Sequence, residues 1–458
     1  MQVNSLAIEL FNLEDCDIKD IQYRKINDSS LLDLFLMERP IPCPDCGCDQ
    51  PKIKGYEIKS IRHAALTDRK CVLRYHARRY RCPICGRTYY EKNPFVFGAM
   101  KISTLTVQNI LKDLKEFNET FTSVARRYNI SPTSVASIFD SHVSMPRLKL
   151  PEYMSWDECY AFHSLSEKSK YVCMFLDYTT GNPVDILPSR QKEYLIKYLR
   201  KIPREERMNV KMISTDMYEV YRSVIKELFP HAKQSVDHYH LSQELHRKVD
   251  RVRLRIMKHY SMNKGSDEYY LLKNFNWLIY KRADSINKDG SELFDPNNEK
   301  QYNKHYKAYK NYYDLKEQMR KIHPDLVTAW DIKDSFVDLY ETNTTDTIEQ
   351  ALNEFIQTLM QCSVPEIHEF GKTVKNWRKE IINSFIIVKQ TYQVDKDTGH
   401  VTVSNHRLNN GLMENRNGIL KCIKKNANGY SNWERFRNRC LYVMREDAIY
   451  SLYPVTKK

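Results

Sequence analysis

Residues 156–187 read WDECYAFHSLSEKSKYVCMFLDYTTGNPVDIL, and the fold turns on how this stretch is parsed. Glu158 to Ser164 has strand composition and is preceded by Trp156-Asp157. Tyr171 to Leu176 is a second apolar run, stopped by the turn Asp177-Tyr178-Thr179-Thr180-Gly181, and Val184 to Leu187 is a third. Short apolar runs bounded by turn residues read as strands. Downstream the period changes. Tyr194, Leu195, Tyr198, Leu199 and Ile202 recur at helical spacing, and Val210 to Ser214 is a buried strand that runs out at Thr215-Asp216. Val220, Tyr221, Val224, Ile225 and Leu228 mark the next helix, and Lys233 to Val236 is a strand ending at Asp237.

Three hairpin strands followed by helix, strand, helix, strand is the order of an RNase H-like core. In that order Asp157 on the first strand and Asp216 at the end of the fourth lie side by side. Paired carboxylates suit phosphodiester chemistry, because two hard divalent cations need oxygen ligands at short range. Asp177, Asp185, Glu158 and Asp237 compete for the same role. A third acid completes such a site, and the C-terminal region offers one. Asn410, Glu414, Asn417 and Lys421 share one polar helical face, while Leu412, Ile419 and Ile423 form a face suited to packing on the sheet. Lys421, Lys424 and Lys425 would meet a polyanion.

Upstream lie two cysteine knuckles, Cys43-Pro-Asp-Cys46 and Cys82-Pro-Ile-Cys85. Two CxxC pairs make a tetrahedral sulfur site for structural zinc. Gly47 and Gly86 follow each knuckle where positive φ is needed. Cys48 and Cys71 are spare and remain alternative ligands. The long spacer holds an alternating run, Val72 to Arg81, that suits a β-hairpin arm. Its Arg74, Arg78, Arg79 and Arg81, with Arg87, read as phosphate contacts. Next comes a helix-turn-helix pattern over 120–139. Phe121, Val124, Ala125 and Tyr128 make one face, and Ile130 plugs the turn. Ser131 is an N-cap with Pro132 at the first helical position. Val135, Ile138 and Phe139 face inward. Thr133, Ser134 and Ser137 are left where a major-groove reader would place them, and Arg126 and Arg127 beside the backbone.

Composition agrees with this reading. The chain has 458 residues, a formal net charge of +14 and 41% hydrophobic residues, which excludes wholesale disorder and points to a polyanionic partner. Only 12 glycines are present, which favours helix. No apolar run is long enough to span a membrane. The N-terminus, with Glu9 and Glu14, lacks a signal-peptide pattern, so the expected compartment is the cytoplasm. The 12 cysteines are then metal ligands or buried thiols rather than disulfides.

The order of zinc ribbon, helix-turn-helix and RNase H-like core resembles the ISL-three-type bacterial insertion-sequence transposases. The likeness rests on CPDC and RYRCPICGRTYYE in the ribbon, WDECYAF in the first strand, STDMYEVY around Asp216 and SVDHYHL around Asp237. The tail NNGLMENRNGILKCIKKNANGYSNWERFRNR carries it furthest. The resemblance implies a DDE triad of Asp157, Asp216 and Glu414 binding magnesium or manganese, with Asp237 and His240 as supporting residues. Trp156 departs from the small aliphatic residue commoner before the first acid. The resemblance also implies a helical insertion between the second and third acids, where Lys248, Arg251, Arg253, Arg255 and Lys258 make the first helix basic. Trp277, Trp330 and Trp377 read as core anchors within it.

The expected fold is multidomain α+β. It has an α/β lead-in (1–40), zinc ribbon (41–100), helix-turn-helix (101–145), first part of the core (146–244), helical insertion (245–400) and last part of the core with a basic tail (401–458). The resemblance implies binding of double-stranded DNA (terminal inverted repeats and target DNA), metal-dependent strand cleavage and strand transfer, by a homodimer or larger assembly at the nucleoid of a bacterial cytoplasm. The alternatives are a non-catalytic DNA-binding regulator and a metal-dependent nuclease without strand transfer. Binding of structured RNA by the basic arms is a further one.

Overall fold

The computed structural model describes residues 18–39, 41–63, 70–97, 100–282, 284–394 and 401–454. The N-terminal stretch bearing Glu9 and Glu14, and Pro40 of the turn before the ribbon, lie outside the described residues. The chain is a mixed α+β protein built of successive units.

The first unit is one five-stranded sheet. β1 (Ile18–Ile26) and β2 (Ser29–Leu36) form a hairpin, β3 (Lys52–Arg62) and β4 (Lys70–Arg81) form a second, and β5 (Thr88–Tyr90) adds to β4. β2 pairs parallel with β4. The described part of the expected α/β lead-in is therefore all strand, and it shares a sheet and a core with the ribbon. Leu34, Leu73, Tyr75 and Phe95 meet in that core.

α1 (Thr104–Asp113), α2 (Phe121–Arg127) and α3 (Pro132–His142) follow. The Thr120 hydroxyl accepts from the Ser123 N–H and the Ser131 hydroxyl from the Ser134 N–H, so side chains cap α2 and α3. Asn129 supplies the left-handed residue of the turn at φ 53°.

The second sheet is built from β6 (Tyr153–Ser164), β7 (Ser169–Asp177), β8 (Pro183–Leu187), β9 (Met212–Thr215) and β10 (Lys233–Val236), in the order β10-β9-β6-β7-β8. β6, β7 and β8 are antiparallel, and β9 and β10 run parallel to β6. This is the arrangement anticipated from the strand order. β6 starts at Tyr153, several residues earlier than the sequence pattern indicates, so Asp157 lies inside the strand. The reason is that Tyr153–Ser155 pair with β9 and Met154–Tyr160 with β7.

Side chains of β6 alternate between two cores. Met154 and Trp156 enter the cluster beneath α4 (Lys192–Leu199) and α6 (Glu219–Leu228), beyond the short α5 (Arg204–Met208). Trp156 is fully buried, stacked on Phe175 and edge-on to Tyr221 and Phe229. That aromatic nest accounts for the tryptophan before the first acid.

A long helical region intervenes before the last elements. It comprises α7 (His238–His259), α8 (Asp267–Asn274), the small hairpin β11 (Gln301–Asn303) and β12 (Ala308–Lys310), α9 (Tyr312–Arg320), α10 (Pro324–Thr342), α11 (Ile348–Gln361), α12 (Pro365–Asn376) and α13 (Arg378–Asn383). Trp330 and Trp377 are buried in its core and Trp277 packs against it. The basic run on α7 is largely neutralised within the fold, with Lys248 on Glu369, Arg253 on Asp250, and Arg255 on Glu366 and Asp325. β13 (Ile387–Val394) and β14 (Val401–Arg407) then form a hairpin, a departure from the helical pattern read into this stretch.

α14 (Gly411–Asn426) and α15 (Trp433–Met444) close the chain and cover the second face of the large sheet. The packing face of α14 is Met413, Leu420 and Ile423, whereas Leu412, expected there, is 44% exposed. The same cluster takes in Val124, Val135 and Phe139. The three-helix unit is thus docked on the core, and buried Arg439 of α15 donates to the carbonyls of Leu114, Glu116 and Glu119.

Candidate active site and metal centres

The carboxylate site sits where β6 and β9 part. One side-chain oxygen from each of Asp157, Glu158 and Asp216 lies within 4.8 Å of the others. The structure thus brings together two of the acids expected, Asp157 and Asp216. The third member of the tight group is Glu158, not Glu414. Asp157 accepts from the Glu158 N–H at 2.8 Å and from Asn417 Nδ2 of α14 at 2.8 Å. Asp216 Oδ1 is buried with no protein partner. A buried, unpartnered carboxylate oxygen is costly unless a cation or water answers it.

Burial is the main cause that pushes the Asp157 carboxyl up, to about 7. Its neighbours Asp216, Asp237 and Glu414 add repulsion, and His240 opposes the shift. Burial raises Asp216 and Asp237 as well, again against His240. Three desolvated acids facing one imidazole form a site short of positive charge. A hard divalent cation with oxygen ligands fits that donor set.

Glu414 is on the first turn of α14, exposed, and outside the tight group. It lines a cavity of about 400 Å³ together with Asp237, Tyr239, Tyr340, Arg407 and Asn409. Its charge is nevertheless felt at Asp157 and Asp237. Of the remaining competitors, Asp185 is tied to Arg437 and Tyr198, and Asp177 caps its own turn.

The sulfur site is tighter. Cys43, Cys46, Cys82 and Cys85 bring their Sγ atoms within 4.8 Å of one another, with Cys43–Cys85 at 3.6 Å and Cys46–Cys82 at 3.5 Å. The two knuckles repeat one another. Cys43 N–H donates to Cys48 O and Gly47 N–H to Cys43 O, while Cys82 N–H donates to Arg87 O and Gly86 N–H to Cys82 O. Gly47 and Gly86 take φ of 70° and 71°. Cys48 and Cys71 do not join the group. Four thiols within 4.8 Å of one another are a donor set for tetrahedral zinc.

Residues 157–393 match the transposase family of the DDE ISL3 type, which covers the larger part of the chain. The chain belongs to the ISL3 family of transposases. Residues 39–85 match the zinc-finger of the transposases IS204/IS1001/IS1096/IS1165, in agreement with the four-cysteine cage. The chain is also similar to the transposase for insertion sequence element IS1001 of Bordetella parapertussis, 20% identical over 399 residues, which is 86% of each chain. Among the described residues no helix is long and apolar enough to cross a membrane.

In this ISL3-family chain the residues expected to touch DNA divide sharply. Thr133 and Ser137 are exposed on α3 and Ser134 is half-buried at its start. Arg126 is exposed. Arg127 instead holds Asp113 and Glu119 across the three-helix unit. On β4 Arg81 is exposed and Arg79 lies against the Tyr90 ring. Arg74 leans towards buried Asp33, which also holds His76 and Arg24. Arg78 corrects the sequence reading. It is 6% exposed, paired with Glu91 at 2.9 Å and bonded to the Leu36 carbonyl, so its guanidinium ties the lead-in hairpin to the ribbon. Lys421, Lys424 and Lys425 lie on α14 as expected, with Lys424 over the Tyr160 ring.

Sequence reasoning missed Arg190. It pairs with Glu158 and stacks on Tyr171 and Tyr218, with its charge reaching Asp216. Its only signal was position, just past the end of β8. Asn417 was seen as one of a polar row, but not as the donor to Asp157.

Proposed function

We propose that this transposase cuts DNA at the ends of its own element and joins the freed 3′-hydroxyl to target DNA. The ribbon and three-helix unit recognise the terminal inverted repeats, with Thr133, Ser134, Ser137, Arg126 and Arg81 as the groove and backbone contacts. The observation that carries the reading is the Asp157–Asp216 pair where the parallel strands β6 and β9 part, with one buried Asp216 oxygen unpartnered, inside the family-matched segment.

Asp157, Asp216 and Glu414 would hold magnesium or manganese. Such ions polarise a phosphoryl oxygen and favour deprotonation of the attacking hydroxyl in an in-line displacement. Asn417 fixes one Asp157 oxygen, leaving the carboxylate in one orientation. His240 offsets the charge of the buried acids. Asp237 follows β10 at the N-cap position of α7, feels the charge of His240 and would support that histidine. First a water oxygen, then the freed 3′-hydroxyl, attacks phosphorus, and a DNA 3′-oxygen leaves each time. One site serves both steps, and excising both ends together calls for at least a dimer.

One observation favours the regulator alternative, namely that Glu414 stands outside the three-carboxylate group. Purified protein, Mg²⁺ and DNA from both flanks of its gene separate the readings. Cleavage and strand transfer, lost in Asp216→Ala and Glu414→Ala, support the transposase. Tight end binding without cleavage by any version favours the regulator. Cleavage without joining favours the nuclease, and cleavage unchanged in both variants refutes the triad.

A further inference from the structure

The acid site continues into a second surface on the same sheet. Glu158 and Tyr160 are two apart on β6 and share a face. Tyr171 of β7 lies directly opposite Tyr160. The rings meet edge-on with centroids 5.7 Å apart. Tyr160 is 55% exposed and Tyr171 37%, so neither belongs to a core. A cation flanks each ring. The Arg190 guanidinium is 4.2 Å from the Tyr171 centroid, and Lys424 Nζ is 4.6 Å from that of Tyr160.

The topology explains how α14 reaches this face. β9 pairs with β6 only over Tyr153–Ser155, so β6 beyond that point is an uncovered edge among the described residues. From α14, Lys424 places its Nζ over the Tyr160 ring. The result is a line of Lys424, Tyr160, Tyr171 and Arg190 that ends at Glu158, one residue from Asp157.

We infer that this line binds unpaired nucleotides of the DNA strand next to the scissile phosphate. The inference rests on the proposed cleavage only for the source of that strand. Exposed rings flanked by cations are what a single strand uses, with bases on the rings and phosphates on the charges. A protein partner would need acidic groups to answer the two cations, and a duplex would shield its bases from the rings. The Arg190–Glu158 pair sits at the inner end, where an incoming phosphate can exchange for the Glu158 carboxylate.

The test uses full-length, zinc-loaded protein without added magnesium, so that binding is read apart from cleavage. The probes are fluorescein-labelled oligo(dT) and a duplex of the element end, followed by anisotropy. Tyr160→Ala and Tyr171→Leu should each weaken oligo(dT) binding about tenfold, as expected for loss of one stacked base. Tyr160→Phe should bind like wild type, and Lys424→Gln should lower the salt dependence. Duplex affinity should hold in the three tyrosine variants. The inference is overturned if wild type does not bind oligo(dT), if Tyr160→Ala matches Tyr160→Phe, or if duplex affinity falls in step. An inactive enzyme that still shows the tyrosine effect would sink the proposed catalysis and leave this surface standing.

Discussion

The two metal-suited sites of this chain are built in opposite ways. Each half of the sulfur cage is a self-contained knuckle, with two thiols, a left-handed glycine and two backbone bonds within about six residues. The carboxylate site has no such local unit. Asp157, Asp216 and Asn417 come from two strands and a helix far apart in sequence, and only the sheet and α14 bring them together. A local site depends on its ligand for order, while a scaffolded site is held before any ligand arrives and carries the electrostatic penalty itself. That difference orders the expected effects of changing each.

The largest effect is expected at the cage. Structural zinc contributes on the order of 10 kcal/mol of apparent binding in small zinc domains. Cys82→Ser should release zinc, measured by metal analysis, and expose 41–97 to proteolysis while the core beyond residue 146 stays protected. A ribbon that remains resistant without zinc would erase the contrast. Next comes Asp216→Ala, which should lower end cleavage by 10³-fold or more yet leave the thermal midpoint unchanged or higher. A loss of stability there would show that the acids hold the sheet together.

A third change separates fold from DNA contact within the ribbon. Arg78→Ala removes one partner of a buried pair and should destabilise the sheet by about 3–5 kcal/mol, seen by denaturant titration. Arg81→Ala should stay within about 0.5 kcal/mol of wild type and reduce the salt slope of DNA binding by about one. Equal behaviour of the two would contradict the burial difference. The smallest effect is in pH. Asp157 is raised from 3.8 to about 7, so the folded protein holds a proton there that the unfolded chain has lost. Its contribution is fully present below pH 3.8 and is lost as pH rises through about 7. Without divalent metal, the thermal midpoint should therefore decline across that window in wild type and less in Asp157→Asn. Added Mg²⁺ should raise the wild-type midpoint more at pH 8 than at pH 5.

The contrast between the sites also explains what could be read before the fold was known. CxxC spacing and the glycine after each knuckle specify the cage, because every determinant is local. The helix-turn-helix was legible for the same reason, through Ser131, Pro132 and the spacing of Val135 and Phe139. Strand order was readable from alternation and turns. Contacts between elements were not. Arg78 looks like any other arginine of β4 until Glu91 and Leu36 are seen around it. Leu412 fits a helical apolar row, but the true packing face is set by where α14 meets β6. Glu158 looks like a neighbour of the first acid, and only the sheet reveals it beside Asp216 with Arg190 as its partner. The β13–β14 hairpin was hidden because its strands carry alternating polar residues on both sides and pack mainly on each other.

Asp157 and Asp216 are proposed to form a preassembled divalent-cation site distinct from the zinc cage. Crystals grown with Mn²⁺, measured at the manganese and zinc absorption edges, test it directly. Manganese is expected at Asp157 and Asp216, with zinc confined to Cys43, Cys46, Cys82 and Cys85. Ordered manganese elsewhere, with the Asp157–Asp216 pair unliganded in well-ordered density, would contradict it.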